Sequence, residues 1–135
     1  MKDKLIFYQS YDHEEKAKGI DDVENPEDYN LGLIQGWRHV LGDHFISSFE
    51  WKGKKWSSVE KALKSIGNTD RKDILMAKFT QIPLAEKVLI KTKDAELYGT
   101  KTIGYPERDF VLEDVRDEIV MEKDLKLLKK ILKEF

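Results

Sequence analysis

Apolar residues in the first third of the chain follow the spacing of a short strand and then of an interrupted helix. Residues 5–8 (LIFY) are rich in β-formers and predict a buried strand. Residues 11–30 are acidic and contain glycine and proline, so we expect a loop with a short helical turn near residues 13–18. A loop of this length is either a lid or a poorly ordered excursion. Residues 31–41 carry apolar side chains at near-helical spacing, interrupted by two glycines, and predict a helix or an irregular segment.

A β-hairpin is predicted next. Residues 46–51 alternate between apolar and polar side chains, and residues 54–56 (KKW) resume the extended pattern. Lys52-Gly53 between them suits a tight turn.

The segment SSVEKALKSI predicts a capped amphipathic helix. Residues 57–60 fit a capping box, in which Ser57 caps the amide three positions later and Glu60 reaches back to the Ser57 amide. Apolar residues then recur on one helical face, and Gly67-Asn68 ends the helix. Glu60 is also expected to pair with Lys64, four residues further on. The local pattern alone therefore explains Glu60 as a helix cap.

The second half of the chain predicts further helices around one short strand. Asp70 is the expected N-cap of a second helix, and Pro83 opens a third. Residues 95–98 predict a strand closed by Gly99, followed by a turn-rich connection over residues 100–109. Two more helices are expected to finish the chain.

The last predicted helix carries an apolar stripe with heptad-like spacing: Leu125, Leu128, Leu132 and Phe135. We expect this stripe to pack on its own domain, because a coiled coil needs several heptads; pairing with a second copy is the alternative. Together the elements predict an α+β fold, a compact and mostly helical single domain over residues 1–135 with a small sheet or hairpin.

Composition narrows the chemistry. The 135 residues include 24 basic and 26 acidic side chains, a net charge of −2, so no overall field favours nucleic acid or membrane. The absence of cysteine excludes disulfides and thiolate chemistry, and the three histidines lack metal-binding spacing. We therefore expect no metal and no cofactor. The start of the chain does not resemble a signal peptide, so a cytoplasmic protein is expected.

Six phrases stand in order along the chain: IFY at 6–8, LGDHFISSF at 41–49, WSSVE at 56–60, MAKFTQ at 76–81, LIKTKDAEL at 89–97 and LEDVRDEI at 112–119. In this order they resemble phrases of the NADAR (YbiA-like) superfamily. The similarity covers residues 41–119, with a further match at residues 6–8. The family's corresponding phrases include W-x-[ST]-V-E-H, A-K-F-x-Q and L-L-x-T-x-D-A-x-L.

The resemblance implies a mostly helical α+β domain that cleaves N-glycosidic bonds without a metal. The implied substrate is a small nucleotide, that is, a ribosylated riboflavin-pathway intermediate, or an ADP-ribosylated guanine base, free or within a modified nucleic acid. No apolar stretch of membrane-spanning length is present, so no membrane partner is expected. Breaking a C1–N bond develops oxocarbenium character, which a carboxylate stabilises. Alternatively, a lysine traps the opened sugar as a Schiff base. The resemblance thus gives Glu60 a second interpretation, as a catalytic acid.

Position by position, the resemblance assigns further candidate residues. Lys78 and Gln81 fall on the lysine and glutamine of A-K-F-x-Q, as a catalytic group and a substrate contact. Trp56 is a candidate wall for a flat base. Each has a plainer alternative: Lys78 as a surface lysine, Gln81 as a helix-terminating side chain, Trp56 as a packing residue. Arg38 is a candidate phosphate ligand, with a surface arginine as the alternative.

The sequence also departs from the family pattern. Lys61 replaces the histidine that follows the glutamate, and Lys64 replaces a later glutamine; both are candidate substrate contacts. Gly67 stands where a lysine is expected, the segment before the AKF phrase is short, and the D-x-x-W-G phrase is absent. Two hypotheses follow: an N-glycosidase, or a degenerate module that binds a nucleotide, ADP-ribose or a protein partner without catalysis.

Overall fold

Strand β1 (Lys4–Phe7) is the edge of a three-stranded sheet in a computed structural model that describes residues 2–12, 21–66, 70–102 and 104–134. It runs parallel to the central strand β4 (Glu96–Gly99), and β5 (Glu107–Arg108) pairs antiparallel with β4 on the other side. The predictions of β1 and β4 are confirmed, whereas β5 was expected to be part of a connection. The predicted turn near residues 13–18 and the Gly67-Asn68 helix stop lie outside the described residues.

The predicted hairpin is confirmed. Strands β2 (Phe49–Trp51) and β3 (Lys54–Trp56) are antiparallel, with Phe49 opposite Trp56. Lys52 and Gly53 between them have φ angles of 51° and 76°, and two successive positive φ angles are those of the type I′ turn that matches strand twist.

Helices surround the two sheets. The interrupted segment near residues 31–41 contains a 3-10 turn at Leu31–Leu33 and one turn of helix, α1 (Trp37–Val40). Three longer helices follow in chain order: α2 (Val59–Ile66), α3 (Arg71–Gln81) and α4 (Pro83–Lys91). Pro83 opens α4 as predicted. Asp70 takes the N-cap position of α3, but its side chain makes no capping hydrogen bond.

The final helix, α5 (Phe110–Lys133), is continuous, so the prediction of two terminal helices is wrong. No glycine or proline stands between the buried residue Ile119 and Leu125, and nothing local stops a helix there. Asp109 caps its beginning, since Oδ1 accepts a 3.0 Å hydrogen bond from the amide of Leu112.

The hydrophobic core joins β1 and β4 to the helices. Its fully buried side chains include Phe7, Phe79, Leu97 and Val115. The architecture is an α+β domain, as predicted. Among the described residues, no helix has both the length and the apolar character needed to cross a bilayer.

The apolar stripe of α5 lies outside this core. Leu125, Leu128 and Leu132 are 49%, 51% and 63% exposed, so the expectation that the stripe packs on its own domain is wrong. The cause is geometric, because α5 extends past the globular part of the chain and every described residue from Met121 onward is exposed. Phe135 lies outside the described residues.

Candidate functional site

An open cleft lies beside helix α2. It consists of three adjoining hollows that all include Gln9, and we refer to them together as the cleft. Two of the hollows, of about 330 and 570 Å³, are lined by Glu60. The third, of about 510 Å³, is lined by Asp43, Arg71 and Asp109.

Glu60 faces this cleft and does not cap its own helix. Ser58, which is buried, provides the cap: its Oγ accepts a 3.1 Å hydrogen bond from the amide of Lys61. The predicted capping box of Ser57 and Glu60 is therefore wrong, because α2 begins one residue later than that motif requires. The Glu60 carboxylate instead lies 3.3 Å from Nζ of Lys64, as the i, i+4 spacing predicted, and is 45% exposed.

Glu60 is fixed to the neighbouring loop through its backbone. Its amide donates a 2.8 Å hydrogen bond to the carbonyl oxygen of Asp43. The amide of Asp43 in turn donates a 2.7 Å bond to Oε1 of Gln9, and the amide of Gln9 donates to Oγ1 of Thr100. These bonds connect the ends of β1 and β4 to the beginning of α2, and so they define the walls of the cleft.

Arg71 holds two carboxylates on one side of the cleft. Its guanidinium donates to both oxygens of Asp43 at 3.0 Å, and to both oxygens of Asp109 at 3.0 and 2.7 Å. Burial opposes its charge, yet the hydrogen bonds to Asp109 and Asp43 raise the pKa of Arg71 above its usual range. Both oxygens of Asp43 are thereby paired with Arg71, whereas the Glu60 carboxylate has Lys64 as its partner among the described residues.

Lys78 lies in the interior, not in the cleft. Its side chain is 1% exposed, and Nζ donates 2.8 Å hydrogen bonds to the carbonyl oxygens of Val40 and Gly42. Burial lowers the pKa of Lys78 to about 7, against the attraction of Asp43. The surface-lysine alternative is therefore wrong. Lys78 is not among the residues that line the cleft, so the structure does not support direct contact with a substrate there. Its influence on the cleft is through the loop at Val40 and Gly42, whose carbonyl groups it binds.

A pair of histidines packs beside the same loop. Nδ1 of His39 and Nε2 of His44 are 2.9 Å apart, both side chains are 8% exposed, and the ring of Tyr11 contacts both. Burial lowers the pKa of His44 to about 4, with repulsion from His39 and Lys78 adding to the effect. Within the described part of the chain, Nδ1 of His44 has no hydrogen-bond partner.

Gly42 allows this packing. A Cβ atom there would lie 2.1 Å from the carbonyl oxygen of Tyr8 and 2.5 Å from Nδ1 of His44, so no larger residue fits without moving the backbone.

Other candidates from the sequence lie elsewhere. Gln81 binds the backbone of Glu50 at both its amide and its carbonyl, at 2.7 and 2.6 Å, and so anchors β2. Arg38 binds Asp21 and the carbonyl oxygen of Ile6, which leaves its guanidinium engaged by the protein. Both positions support a structural role, and neither residue lines the cleft.

Trp56 and Lys61 are also not among the residues that line the cleft. Trp56 is partly buried against the core, its Nε1 lies 3.4 Å from the carbonyl oxygen of Trp51, and Nζ of Lys54 lies 4.6 Å from its ring centre. Lys61 is exposed on α2. Of the predicted site residues, the structure thus brings only Glu60 and Lys64 together at the cleft.

The sequence interpretation missed Gln9, Asp43, Arg71 and Asp109. The aspartates are separated from Arg71 by 28 and 38 positions, so no local spacing connects them. The one available signal was the LGDHF phrase, which places Asp43 inside a segment that resembles the family. Among the described residues, no group of three or more histidine, cysteine or acidic side chains is arranged to hold a metal ion.

Comparison of the chain with models of protein families, with curated proteins and with solved structures gave no match.

Proposed function

We propose that the cleft binds a ribosylated or ADP-ribosylated base and that the protein hydrolyses the bond between C1 of the ribose and the base nitrogen. The observation that carries this proposal is the position of Glu60. Its carboxylate does not cap the helix that begins there, and it faces an open cleft with Lys64 as its partner among the described residues. This is also the glutamate that the family resemblance marks as catalytic.

In this mechanism Glu60 stabilises the charge that develops on the sugar. As the C1–N bond breaks, its electron pair leaves with the base nitrogen and C1 becomes cationic. A carboxylate facing the reacting carbon lowers the energy of that state. Water adds to C1, and its proton passes through Glu60 to the departing base, which leaves neutral.

Lysines on the rim of the cleft complement a phosphorylated substrate. Lys64 adjoins Glu60, and Lys101 lies across the cleft, where Glu107 is its partner at 3.1 Å. Both ammonium groups are half-exposed or more, so a phosphate can reach them. The proposal includes a cytoplasmic location, where such nucleotides are found.

Lys78 enters this proposal as a positioning residue. Its amine is buried and engaged by two carbonyl groups, which disfavours the Schiff-base route, since that route needs an amine within reach of the sugar. By holding the carbonyls of Val40 and Gly42, Lys78 fixes the loop whose next residue, Asp43, binds the amide of Glu60.

A second candidate function is binding without turnover. It is favoured by the pairing of Asp43 with Arg71, which leaves Glu60 as the less engaged of the two carboxylates. A glycosidase normally uses two acidic groups, one of which protonates the leaving group. If the departing base receives no proton, the same cleft holds nucleotide or ADP-ribose without cleaving it.

The test combines calorimetric titration with ADP-ribose and assays of base release from ADP-ribosylated guanine and from a ribosylated aminopyrimidine. We expect the wild type to release base and Glu60→Gln to lose at least about 100-fold in rate while remaining folded. Glu50→Gln, on the exposed hairpin, is the matched control and should retain full activity.

Binding without release would support the second function and contradict the first. Neither binding nor release would overturn both functions. Measurable base release at equal rates in the wild type and Glu60→Gln would overturn the role of Glu60 and the binding-only function.

A further inference from the structure

Helix α5 has two apolar faces in succession, and the globular part of the chain covers only the first. Its N-terminal half buries Leu112, Val115 and Ile119 in the core. Among the described residues, the ion pair of Lys123 with Glu86 of α4, at 2.7 Å, is the most C-terminal polar contact between α5 and another element. The following ten residues extend for about 15 Å at 1.5 Å per residue.

The exposed stripe faces away from the core. Leu128 follows Ile119 by nine positions, about two and a half turns at 3.6 residues per turn, so the two side chains point to opposite sides of the helix. Met121, Leu125 and Leu132 share the side of Leu128, and these four side chains are 49–63% exposed. A stripe with this orientation cannot fold back onto its own domain without bending the helix.

We propose that two copies of the chain associate by antiparallel pairing of the C-terminal halves of α5. The four residues occupy a and d positions of a heptad pattern, which is the seam of a two-helix contact. In the antiparallel arrangement Leu125 packs against Leu128 of the partner subunit, and Met121 packs against Leu132 of the partner subunit. Each layer occurs twice by two-fold symmetry.

Charges beside the stripe favour this direction. Glu122 and Lys129 lie on the same flank, and antiparallel pairing places Glu122 against Lys129 of the partner subunit, again twice. A parallel pair would place Lys129 against Asp124 of the partner subunit, but it would also place Asp117 against Glu122 of the partner subunit, a repulsive contact between like charges. It would also bring two copies of Glu118 together at the seam.

Ile131, 43% exposed, borders Leu128 on the flank opposite Lys129. In the antiparallel register it lies beside Asp124 of the partner subunit, so the association covers part of an apolar side chain that no described part of the chain covers.

The first experiment measures mass by light scattering from about 10 µM to about 1 mM, the range in which short interfaces associate. We expect the mass to rise with concentration from 15.8 kDa towards twice that value. Leu125→Glu should remain at the mass of one chain at all concentrations, with an unchanged circular dichroism spectrum of the domain. A wild type of single-chain mass throughout, or of more than two chains, would overturn the proposal.

The second experiment determines direction by charge reversal at low salt, where exposed charges are least screened. Lys129→Glu should raise the dissociation constant roughly tenfold, since it reverses two symmetric pairs. Adding Glu122→Lys should restore association, whereas adding Asp124→Lys should not. Rescue by Asp124→Lys alone would indicate a parallel pair and overturn the antiparallel assignment, and the absence of cysteine lets a spin label at Lys133→Cys measure the separation directly.

Discussion

The side-chain nitrogen of Lys78 donates a 2.8 Å hydrogen bond to the carbonyl oxygen of Gly42. This contact crosses 36 residues of sequence and joins the middle of α3 to the loop after α1. The next residue along that loop is Asp43, whose carbonyl oxygen accepts the amide of Glu60 and whose carboxylate binds Arg71. The geometry of the cleft therefore depends on a lysine that does not line it.

Stability should rise with pH because of Lys78. Its pKa is about 7 in the folded chain and near 10.5 in the unfolded chain, so between these values only the unfolded chain holds the extra proton. The free energy of unfolding is then expected to increase by up to about 1.4 kcal/mol per pH unit. Urea denaturation from pH 7 to 9.5, below the ionisation of ordinary tyrosines, measures this slope.

Lys78→Met should abolish that slope and leave the carbonyls of Val40 and Gly42 without their donor. Lys87→Met is the control, because Lys87 is exposed on α4, and it should keep the wild-type slope. An identical pH dependence in all three proteins would mean that Lys78 titrates normally.

Arg71→Met should destabilise the chain severely. It removes the partner of both Asp43 and Asp109, whose side chains are only 16% and 10% exposed, and leaves two largely buried carboxylates without their guanidinium. Losing one partner of a buried ion pair typically costs about 3–5 kcal/mol. Lys123→Met, which breaks the exposed pair with Glu86, should cost less than about 1 kcal/mol. Equal losses in the two variants, measured by denaturant titration, would contradict a special role for Arg71.

Local patterns predicted the elements whose causes are local. The Lys52-Gly53 turn and the proline at the start of α4 required no information beyond neighbouring residues. The parallel pairing of β1 with β4 and the contacts of Arg71 join distant segments, so nothing in their spacing indicates them. The same limit applies to Lys78, because a lysine in a helix rich in polar residues carries no sign that it will be buried.

The predicted start of helix α2 was wrong by one residue: the prediction placed the cap at Ser57, and the structure has it at Ser58. Two adjacent serines both suit a helix start, and helix boundaries are uncertain by a residue or two. With Ser57 as the cap, Glu60 would belong to a capping box, and this local role would account for a glutamate at that position. With Ser58 as the cap, the Glu60 carboxylate has no capping role; it pairs with Lys64 and faces the cleft.

Ser58→Ala should therefore destabilise the protein by about 1 kcal/mol, the usual value of an N-cap, because the amide of Lys61 loses its acceptor. Ser57→Ala is the matched control and should lie within about 0.5 kcal/mol of the wild type. Denaturant titration of both variants distinguishes the two caps. A larger loss for Ser57→Ala would restore the capping box.

His44 should make the fold sensitive to acid. Its pKa is about 4 when folded and near 6.5 when unfolded, so the unfolded chain alone takes up the proton between these values. The contribution of His44 to the free energy of unfolding is complete above pH 6.5. It is lost as the pH drops towards 4, by about 3 kcal/mol in total.

Proton NMR titration of the ring resonances, assigned with the His44→Gln and His39→Gln variants, measures the pKa directly. The His44 resonance is the one that is absent from His44→Gln. We expect its chemical shift to show a neutral ring down to about pH 4, because the ring is 8% exposed and lies against His39 and Tyr11. In His44→Gln the loss of stability from pH 6.5 to 4 should be smaller than in the wild type. A titration midpoint near 6.5 for that resonance would mean that the ring is solvated. It would contradict the packing of His44 against the loop around Gly42.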